Sequence, residues 1–349
     1  MSYIKKPVAR HPSLQPNKLG LTVRDYEGSM STLCAGCGHD SITAAIVRAF
    51  YELDTPPHML AKLSGIGCSS KTPTYFVSGA HGFNSAHGRM PAIATGANAA
   101  NRDLIYIGVS GDGDSLSIGL GQLCHAIRRN IRMTYVIENN GVYGLTKGQF
   151  SASSDLGSKS KRGEPNRMSP IDPVMLALNQ GATFVARSFS GDKEQLIPIL
   201  KAGLAHRGLA LIDVISPCVT FNDHEGSTRS YMYTRQHLHE ATEANFVPPQ
   251  HEIVAEIASQ GGTNVTMHDG SILRFTKVPD NYDVTDRMAA MQYLREHPAE
   301  VVTGILYADE SVPDMHEMNN TSKTPMAHLP YEKLCPGSAV LEKLQSQYR

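Results

Sequence analysis

The chain has 349 residues, and its 32 basic residues nearly balance its 33 acidic residues, which gives a formal net charge of −1 at pH 7. This balance disfavours nucleic acid or an acidic membrane surface as a partner. No apolar run approaches the ~18 residues of a membrane helix, and MSYIKKPVARHP lacks the apolar core of a signal peptide. We therefore expect a cytoplasmic protein. There the six cysteines indicate metal or redox chemistry rather than disulfides, with buried, inert thiols as the alternative.

Predicted helices and strands alternate from about residue 31 onward, after an arm at residues 1–30 that is rich in Pro, Lys and Arg. The helix HDSITAAIVRAFYEL, with Asp40 as its expected cap, precedes the strands MLAKLSGIG and LIYIGVS. A glycine turn, the helix SLSIGLGQLCHAIRRN and the strand MTYVIE follow, and this strand ends at an Asn-Asn loop. The order of these elements is typical of a parallel sheet.

The long polar loop KGQFSASSDLGSKSKRGEPNRMSP interrupts this alternation, and loops of such length are usually functional lids or disordered. The alternation resumes with DPVMLALNQ, TFVARSF, KEQLIPILKAGLAH and LALIDVIS. We therefore predict one doubly wound α/β unit with a mostly parallel sheet over residues 31–225. Residues 226–349 form a C-terminal extension, in which we expect a hairpin in VTMHDGSILRF, a helix in RMAAMQYLREHP and an irregular tail.

Two loops with the spacing GDG-x25-NN predict a site for a divalent cation and a diphosphate. Asp112 can offer a carboxylate, Asn140 an amide oxygen and Val142 a backbone carbonyl to Mg²⁺, which prefers oxygen ligands and shares them with phosphate and water. Gly111 and Gly113 allow a diphosphate close to the backbone, at the N-terminus of the following helix. The spacing resembles the thiamine diphosphate motif. The alternative is a pair of ordinary surface turns.

Four cysteines fall in loops at the same predicted edge of the sheet. Cys34 and Cys37 form CAGC, Cys68 follows a strand in SGIGCSSK, and Cys218 follows another in ISPCVTFND. Four thiolates from three loops could enclose zinc or a 4Fe–4S cluster. The CAGC pair alone also fits a thioredoxin-like redox pair, but that interpretation leaves the other two thiols without a role. The remaining thiols, Cys124 and Cys335, are expected to be packing or surface residues.

The ordered motifs LCAGCGHD, SGIGCSS, HGRMPAIATGAN, GDGD, NNGVYGLTKGQ and ISPCVTFND together resemble one family, the thiamine-diphosphate-binding β subunits of the 2-oxoacid:ferredoxin oxidoreductases. The segments STLCAGCGHDSIT and CVTFNDHEGSTRSY are most similar to those of the 2-oxoglutarate branch of this family. The resemblance implies a 4Fe–4S cluster on Cys34, Cys37, Cys68 and Cys218. It also implies thiamine diphosphate with Mg²⁺ held by Asp112, Asn140 and Val142.

Other roles follow from the same resemblance. The residues expected near the diphosphate are Gly111, Gly113, Asp114 and His39, although a histidine at this place can also be a simple helix cap. Ser69 and Ser70 are expected to border the thiamine. Lys71 and Lys147 are the cations nearest these loops and are assigned to substrate carboxylates, against the alternative that they are solvated like most lysines. His87 and Arg89 are candidates for the same cavity, or are merely exposed.

The activity that the resemblance implies is the oxidative decarboxylation of a 2-oxoacid, with 2-oxoglutarate expected, to acyl-CoA and CO₂. The electrons pass through the 4Fe–4S cluster to ferredoxin. In this family the partner α subunit supplies the glutamate that activates thiamine, so we expect a hetero-oligomer with residues 226–349 against that partner, or alternatively as a separate small domain. The other candidates are pyruvate or a branched-chain 2-oxoacid as substrate, a thiamine-dependent decarboxylase with structural zinc, and a non-catalytic assembly subunit stabilised by metal.

Overall fold

The computed structural model describes residues 13–159, 163–248, 263–277, 279, 282–335 and 337–348. Its strands are β1 Leu60–Ser64, β2 His81–Asn84, β3 Ile105–Gly111, β4 Met133–Asn139, β5 Val142–Tyr143, β6 Gln149–Phe150, β7 Phe184–Phe189, β8 Leu209–Ile215, β9 Leu238–Glu240, β10 Glu243–Val247, β11 Thr263–Thr266, β12 Ile272–Lys277 and β13 Val301–Ala308. Its α-helices are α1 Gly38–Glu52, α2 Thr72–Tyr75, α3 Met90–Ala100, α4 Leu120–Arg129, α5 Pro173–Gln180, α6 Lys193–Ala205, α7 Tyr231–His237, α8 Arg287–Glu296, α9 Met315–Met318, α10 Tyr331–Leu334 and α11 Ser338–Ser346. Within the described ranges, no helix combines the length and the apolarity that a membrane crossing requires.

The centre of the fold is an eight-stranded sheet in the order β2-β1-β3-β4-β8-β7-β13-β9. The first six strands in this order run parallel, whereas β13 pairs antiparallel with β7 and parallel with β9. Helices α1 and α6 pack on each other, and α3, α4 and α5 form a second group that flanks the sheet. Strands β4 and β8 are buried along their whole length, as expected for parallel strands covered by helices. The predicted α/β class with a mostly parallel sheet is confirmed.

The segment predicted as a C-terminal extension completes this sheet. Its tail was expected to be irregular, and that expectation is wrong, because Val301–Ala308 forms the fully buried strand β13. Side chains of β13 belong to the same hydrophobic core as the parallel strands. The predicted hairpin is confirmed as β11 and β12, which pair from Thr266 opposite Ile272 and form a small sheet with β10.

The described part of the predicted arm lies against α1, while residues 1–12 fall outside the described residues. Tyr26 is fully buried, and its hydroxyl donates to the Thr55 carbonyl at 2.8 Å. The expected cap of α1 is wrong by three positions. The helix begins at Gly38 with Cys37 as its N-cap, and Asp40 lies in the first turn, where it accepts a hydrogen bond from Ser31 at 2.6 Å.

Candidate active site

Loops after four strands of the sheet meet at its carboxyl edge. The loops that follow β1, β3, β4 and β8 carry Cys68, Asp112, Asn140 and Cys218, respectively. A cavity at this edge is lined by side chains and backbone of both predicted groups, namely His39, Ile66, Gly67, Cys68, Ser69, His87, Gly111, Asp112, Gly113, Asp114, Asn140, Val142, Tyr143, Gly144, Leu145 and Thr146. The fold therefore brings the GDG and NN loops and at least one cysteine loop around one space, as parallel topology predicts.

The three residues expected to hold magnesium lie together. The backbone N–H of Asn140 approaches Asp112 Oδ1 at 3.4 Å, and the backbone N–H of Val142 donates to the side-chain oxygen Oδ1 of Asn140 at 3.0 Å. Asp112 is buried, and Ser153 donates to its Oδ2 at 2.6 Å, next to a very short hydrogen bond from Ser151. Burial raises the pKa of Asp112, and the hydroxyls only oppose that rise. A buried carboxylate beside an amide oxygen therefore suits a divalent cation, which would stabilise its charged form.

The glycine turn leaves no room for side chains. A Cβ at Gly113 would lie 2.4 Å from the Tyr143 ring, whose hydroxyl donates to the Gly113 carbonyl at 2.9 Å. A Cβ at Gly111 would lie 2.9 Å from Ser69 Oγ. The glycines thus let the loops approach each other around the cavity. A π-helical turn at Gly113–Ile118 follows and leads into α4.

Asp114 lines the cavity, but neighbouring loops already use its carboxylate. The Gly88 amide donates to Oδ1 at 2.7 Å, and Ser110 donates to Oδ2 at 2.9 Å. This carboxylate fixes the end of β3 against the loop that precedes α3. Within that loop His87 lines the cavity, whereas Arg89 is exposed and lies outside the lining.

The four predicted cysteines converge beside the cavity. A Cβ at Gly144 would contact Cys68 Sγ at 3.4 Å and Cys218 Sγ at 3.7 Å, and Thr220 Oγ1 lies 3.6 Å from Cys34 Sγ. Burial raises the pKa of Cys37 to about 12, and the nearby Glu138, Cys218 and Cys68 add to that rise. A thiol whose pKa is raised in this way stays protonated unless a positively charged group binds it, so the surroundings of Cys37 fit a metal centre.

The other two thiols lie elsewhere. Cys124 is half-buried on α4, and Cys335 is exposed after α10.

The structure reveals a buried acid next to His39 that the sequence analysis did not single out. His39 Nδ1 lies 3.2 Å from Glu138 Oε2, and Thr72 Oγ1 donates to Glu138 Oε1 at 2.9 Å. Burial lowers the pKa of His39 to about 4 and raises the pKa of Glu138 well above its usual value. His39 is therefore uncharged at neutral pH, and burial favours the protonated form of the Glu138 carboxyl. His39 Nε2 has no hydrogen-bond partner among the described residues, although it is buried and its residue lines the cavity.

Of the remaining predicted residues, one lines the cavity and three do not. Ser69 lines the cavity, whereas Ser70 donates to the Gly67 carbonyl at 2.5 Å and lines a different cavity with Lys62. Lys71 is half-buried and close enough to Cys68 for its charge to lower the pKa of that thiol, against the larger effect of burial. Lys147 is exposed and has a φ of +79°.

Several polar residues of the site come from segments without periodic patterns. Asn222 donates to the Asn140 carbonyl at 2.8 Å, and Arg229 Nε approaches Asn139 Oδ1 at 3.4 Å. Ser151 and Ser153 belong to the long polar loop that was predicted as a lid or a disordered segment. The serine-rich run in this loop was the sequence signal for the contact with Asp112, because serine hydroxyls can donate hydrogen bonds to a carboxylate.

Comparisons with known proteins agree with this geometry. Residues 65–214 match the family model of the C-terminal TPP-binding domain of thiamine pyrophosphate enzymes, and residues 273–324 match the model of the C-terminal part of the pyruvate ferredoxin oxidoreductase beta subunit. The chain is 46% identical over 191 residues to the 2-oxoacid:ferredoxin oxidoreductase subunit beta of Saccharolobus solfataricus, which is 54% of this chain and 63% of that protein. This chain therefore matches less than two thirds of that relative.

Two further relatives extend the match. The 2-oxoglutarate synthase subunit KorB of Methanocaldococcus jannaschii is 35% identical over 189 residues, which is 54% of this chain and 69% of that protein. A solved structure, the 2-oxoglutarate:ferredoxin oxidoreductase from Magnetococcus marinus with 2-oxoglutarate, coenzyme A and succinyl-CoA bound, superposes with a TM-score of 0.71 at 28% identity. The superposition covers 93% of this chain and 97% of the matched Magnetococcus chain. The chain therefore belongs to the family of the β subunits of 2-oxoacid:ferredoxin oxidoreductases.

Proposed function

We propose that this chain is the subunit that binds thiamine diphosphate, Mg²⁺ and a 4Fe–4S cluster in a CoA-acylating 2-oxoacid:ferredoxin oxidoreductase. The observation that carries the proposal is that two groups meet at one edge of the sheet. One is the buried Asp112 carboxylate with Asn140 and Val142, called the magnesium corner below, and the other is the four converging thiols. Neither group alone requires a redox enzyme. Their juxtaposition supports the proposal, because an electron carrier bound by the thiols would lie next to the cofactor on which the 2-oxoacid is oxidised.

The thiamine site is supported by the residues that surround the cavity. Asp112, Asn140 and the Val142 carbonyl would hold Mg²⁺, while Gly111 and Gly113 leave the backbone open to a diphosphate. When bound, thiamine diphosphate supplies the electron sink for decarboxylation. The uncharged His39 would donate a hydrogen bond from Nε2 to an anionic oxygen, since that nitrogen is buried and has no partner among the described residues.

The spacing of the sulfur atoms favours a cluster over a single zinc ion. Zinc bound at about 2.3 Å by four thiolates needs sulfur atoms about 3.8 Å apart. Among the described residues, no three of the cysteine sulfurs lie mutually within 4.8 Å. An iron–sulfur cube places its thiolates on four separate iron atoms and so accepts the wider spacing. Cys34, Cys37, Cys68 and Cys218 are the proposed ligands.

The proposed substrate is 2-oxoglutarate, which carries a second carboxylate. Relatives that are named 2-oxoglutarate synthase subunits support this choice, and so does the Magnetococcus structure with 2-oxoglutarate bound. Lys71 is the better placed of the two proposed cations, because it is half-buried near Cys68 whereas Lys147 is exposed. Its ammonium group would pair with a substrate carboxylate and so orient the 2-oxoacid.

The chain is proposed to work with a partner α subunit that contributes the activating glutamate, and to pass electrons to ferredoxin while coenzyme A accepts the acyl group. Residues 226–349 are proposed to contact that partner in addition to completing the sheet. We place the assembly in the cytoplasm, because thiols that hold an iron–sulfur cluster must stay reduced. Nucleic acid and membranes are not proposed partners.

The proposal is tested by iron analysis of Cys218→Ala and Cys124→Ala, each purified without oxygen together with the α subunit. We expect Cys218→Ala to lose much of its iron and to fail to reduce ferredoxin while it still binds thiamine diphosphate. Cys124→Ala is the matched control and should keep its iron and visible absorption, because it lies on α4 outside the cysteine group. Full iron in Cys218→Ala beside depleted iron in Cys124→Ala would overturn the ligand set.

A further inference from the structure

Two histidines and a glutamate lie together outside the lining of the cavity, although the 15 histidines are scattered along the sequence. One donor atom each of His239, His297 and Glu300 lies within 4.8 Å of the others. His239 belongs to β9, His297 ends α8, and Glu300 precedes β13. They meet because β13 pairs with β9, with Val302 opposite His239. We propose that these three residues form a zinc site that fastens the edge strand β9 to the end of α8.

The tautomers of both imidazoles are compatible with metal binding. His297 Nδ1 lies 2.8 Å from the Tyr293 backbone carbonyl, which can only accept, so Nδ1 carries the hydrogen and Nε2 keeps its lone pair. His239 Nε2 lies 2.6 Å from the Tyr293 hydroxyl, and its Nδ1 lies 2.8 Å from Glu300 Oε2. Because a tyrosine hydroxyl donates or accepts equally well, it can take the Nε2 hydrogen while Nδ1 binds the ion.

One residue therefore orients both histidines, through its hydroxyl and its backbone carbonyl. Histidines that bind metals almost always donate their other ring nitrogen to such an oxygen, which fixes the ring. The two imidazole rings also stack, with centroids 5.0 Å apart and an interplanar angle of 19°. The Glu300 amide donates to the His297 carbonyl at 3.2 Å, so a tight turn holds these two ligands together.

The donor set favours a transition metal over Mg²⁺ and Ca²⁺, and zinc is the ion that we test. Two imidazole nitrogens and one carboxylate oxygen match zinc, whereas Mg²⁺ and Ca²⁺ prefer sites made of oxygen alone. The Glu300 side chain is 40% exposed, so water has access to a fourth position. Two neutral imidazoles and one carboxylate leave a net charge of +1 on the occupied site, which solvent at this edge can accommodate.

The position suggests what the ion stabilises. Strand β9 follows α7 directly, and Tyr231 at the start of α7 donates from its hydroxyl to the Gly36 carbonyl at 3.0 Å, within the CAGC loop. Arg229, just before α7, approaches Asn139 beside the magnesium corner. The segment from Arg229 to β9 thus contacts both the CAGC loop and the residues beside the proposed magnesium site. An ion that anchors β9 would hold the C-terminal end of this segment in place.

The test is calorimetric titration of the chelator-treated full chain with Zn²⁺, in the parent protein and in His297→Ala, Glu300→Gln and Tyr293→Phe. The matched control is His237→Ala, because His237 also contacts a tyrosine ring and also places Nδ1 2.9 Å from a carbonyl four residues earlier, but belongs to no group of three or more metal-ligating side chains among the described residues. Every variant keeps the four thiols of the cysteine group, so zinc bound there cancels in the comparison.

We expect His297→Ala to bind one zinc equivalent fewer than the parent and His237→Ala to match the parent. Tyr293→Phe should bind zinc about 10–100-fold more weakly, because it loses an oxygen that orients a ligand. Zinc should raise the melting temperature of the parent and of His237→Ala by more than that of His297→Ala, which keeps the four thiols but lacks the proposed site. If His297→Ala does not fold, Glu300→Gln decides with the same comparison. Equal stoichiometry and affinity in Glu300→Gln and His237→Ala would overturn the site.

Discussion

The Glu310 carboxylate provides a quantitative test of how the segment after β13 is held to the core. Glu310 forms a very short contact with Nδ1 of the buried His206, and its Oε2 accepts from the His268 amide at 3.2 Å. Thr183 lies 2.7 Å from the other nitrogen of His206. Burial alone would raise the pKa of Glu310, but the hydrogen bonds from His206 and His268 outweigh it and lower the pKa to about 2.

This shift fixes the sign of the expected effect and sets its order of magnitude. A carboxyl group whose pKa is depressed on folding stabilises the fold above its unfolded pKa and loses that contribution as the pH falls through the folded value. From about 4.5 to about 2, the shift corresponds to about 3 kcal/mol at neutral pH. Roughly 2 kcal/mol of it is lost by about pH 3. The side chain is 12% exposed, so solvent screens the pair only in part.

Urea unfolding of the purified chain and of Glu310→Gln, followed by far-ultraviolet circular dichroism at pH 7 and pH 3, measures this contribution. We expect the variant to be less stable by about 2–3 kcal/mol at pH 7 and the difference to shrink toward 1 kcal/mol at pH 3. The control is Glu317→Gln, whose side chain is 41% exposed beside Arg207 and whose ion pair is worth less than about 1 kcal/mol. Equal stability of the parent and Glu310→Gln at pH 7, or a difference that does not change with pH, would refute the reasoning.

Two further predictions concern the cavity. Asp112→Ala should weaken binding of thiamine diphosphate with Mg²⁺ by more than about 100-fold in calorimetry, since even residues that only orient metal ligands contribute 10–100-fold. Its iron content should be unchanged, and parental affinity would contradict the assignment. Lys71→Met and Lys147→Met should raise KM for the 2-oxoacid more than they weaken thiamine binding, because a charged hydrogen bond contributes about 1.5–3 kcal/mol. Steady-state kinetics with the α subunit present measures this, and an unchanged KM in both variants would assign the substrate carboxylates to the partner chain.

Much of the fold could be predicted because parallel strands and their helices carry strong periodic patterns. The predicted helix HDSITAAIVRAFYEL matches α1 within one residue at each end, and LALIDVIS contains all of β8. The strand β13 was missed, although VVTGILYA is an apolar run that only Thr303 interrupts. Short runs of this kind do not say whether a strand joins a sheet or where, because that depends on a partner more than 100 residues away.

The candidate site was predictable to the extent that topology determines it. Loops that follow parallel strands share one edge, so the meeting of Cys68, Asp112 and Cys218 follows from the order of elements alone. Glu138 was not recognised, because one acidic residue at the end of a strand does not reveal that it faces a buried histidine. The proposed zinc site was equally hidden, since His239 and His297 meet only through the pairing of β9 with β13.

The two halves of the candidate site are not mechanically independent. Asn222 donates its backbone amide to the Cys218 carbonyl at 2.9 Å and its side-chain amide to the Asn140 carbonyl at 2.8 Å. A change in the Cys218 loop can therefore reach the magnesium corner through one residue. Loss of iron from Cys218→Ala identifies a cluster ligand only if thiamine binding survives in the same sample, because a displaced Asn222 would disturb both sites. Iron content and thiamine affinity thus have to be measured in the same sample. Loss of iron with unchanged thiamine affinity indicates a lost ligand, whereas loss of both indicates a collapsed loop.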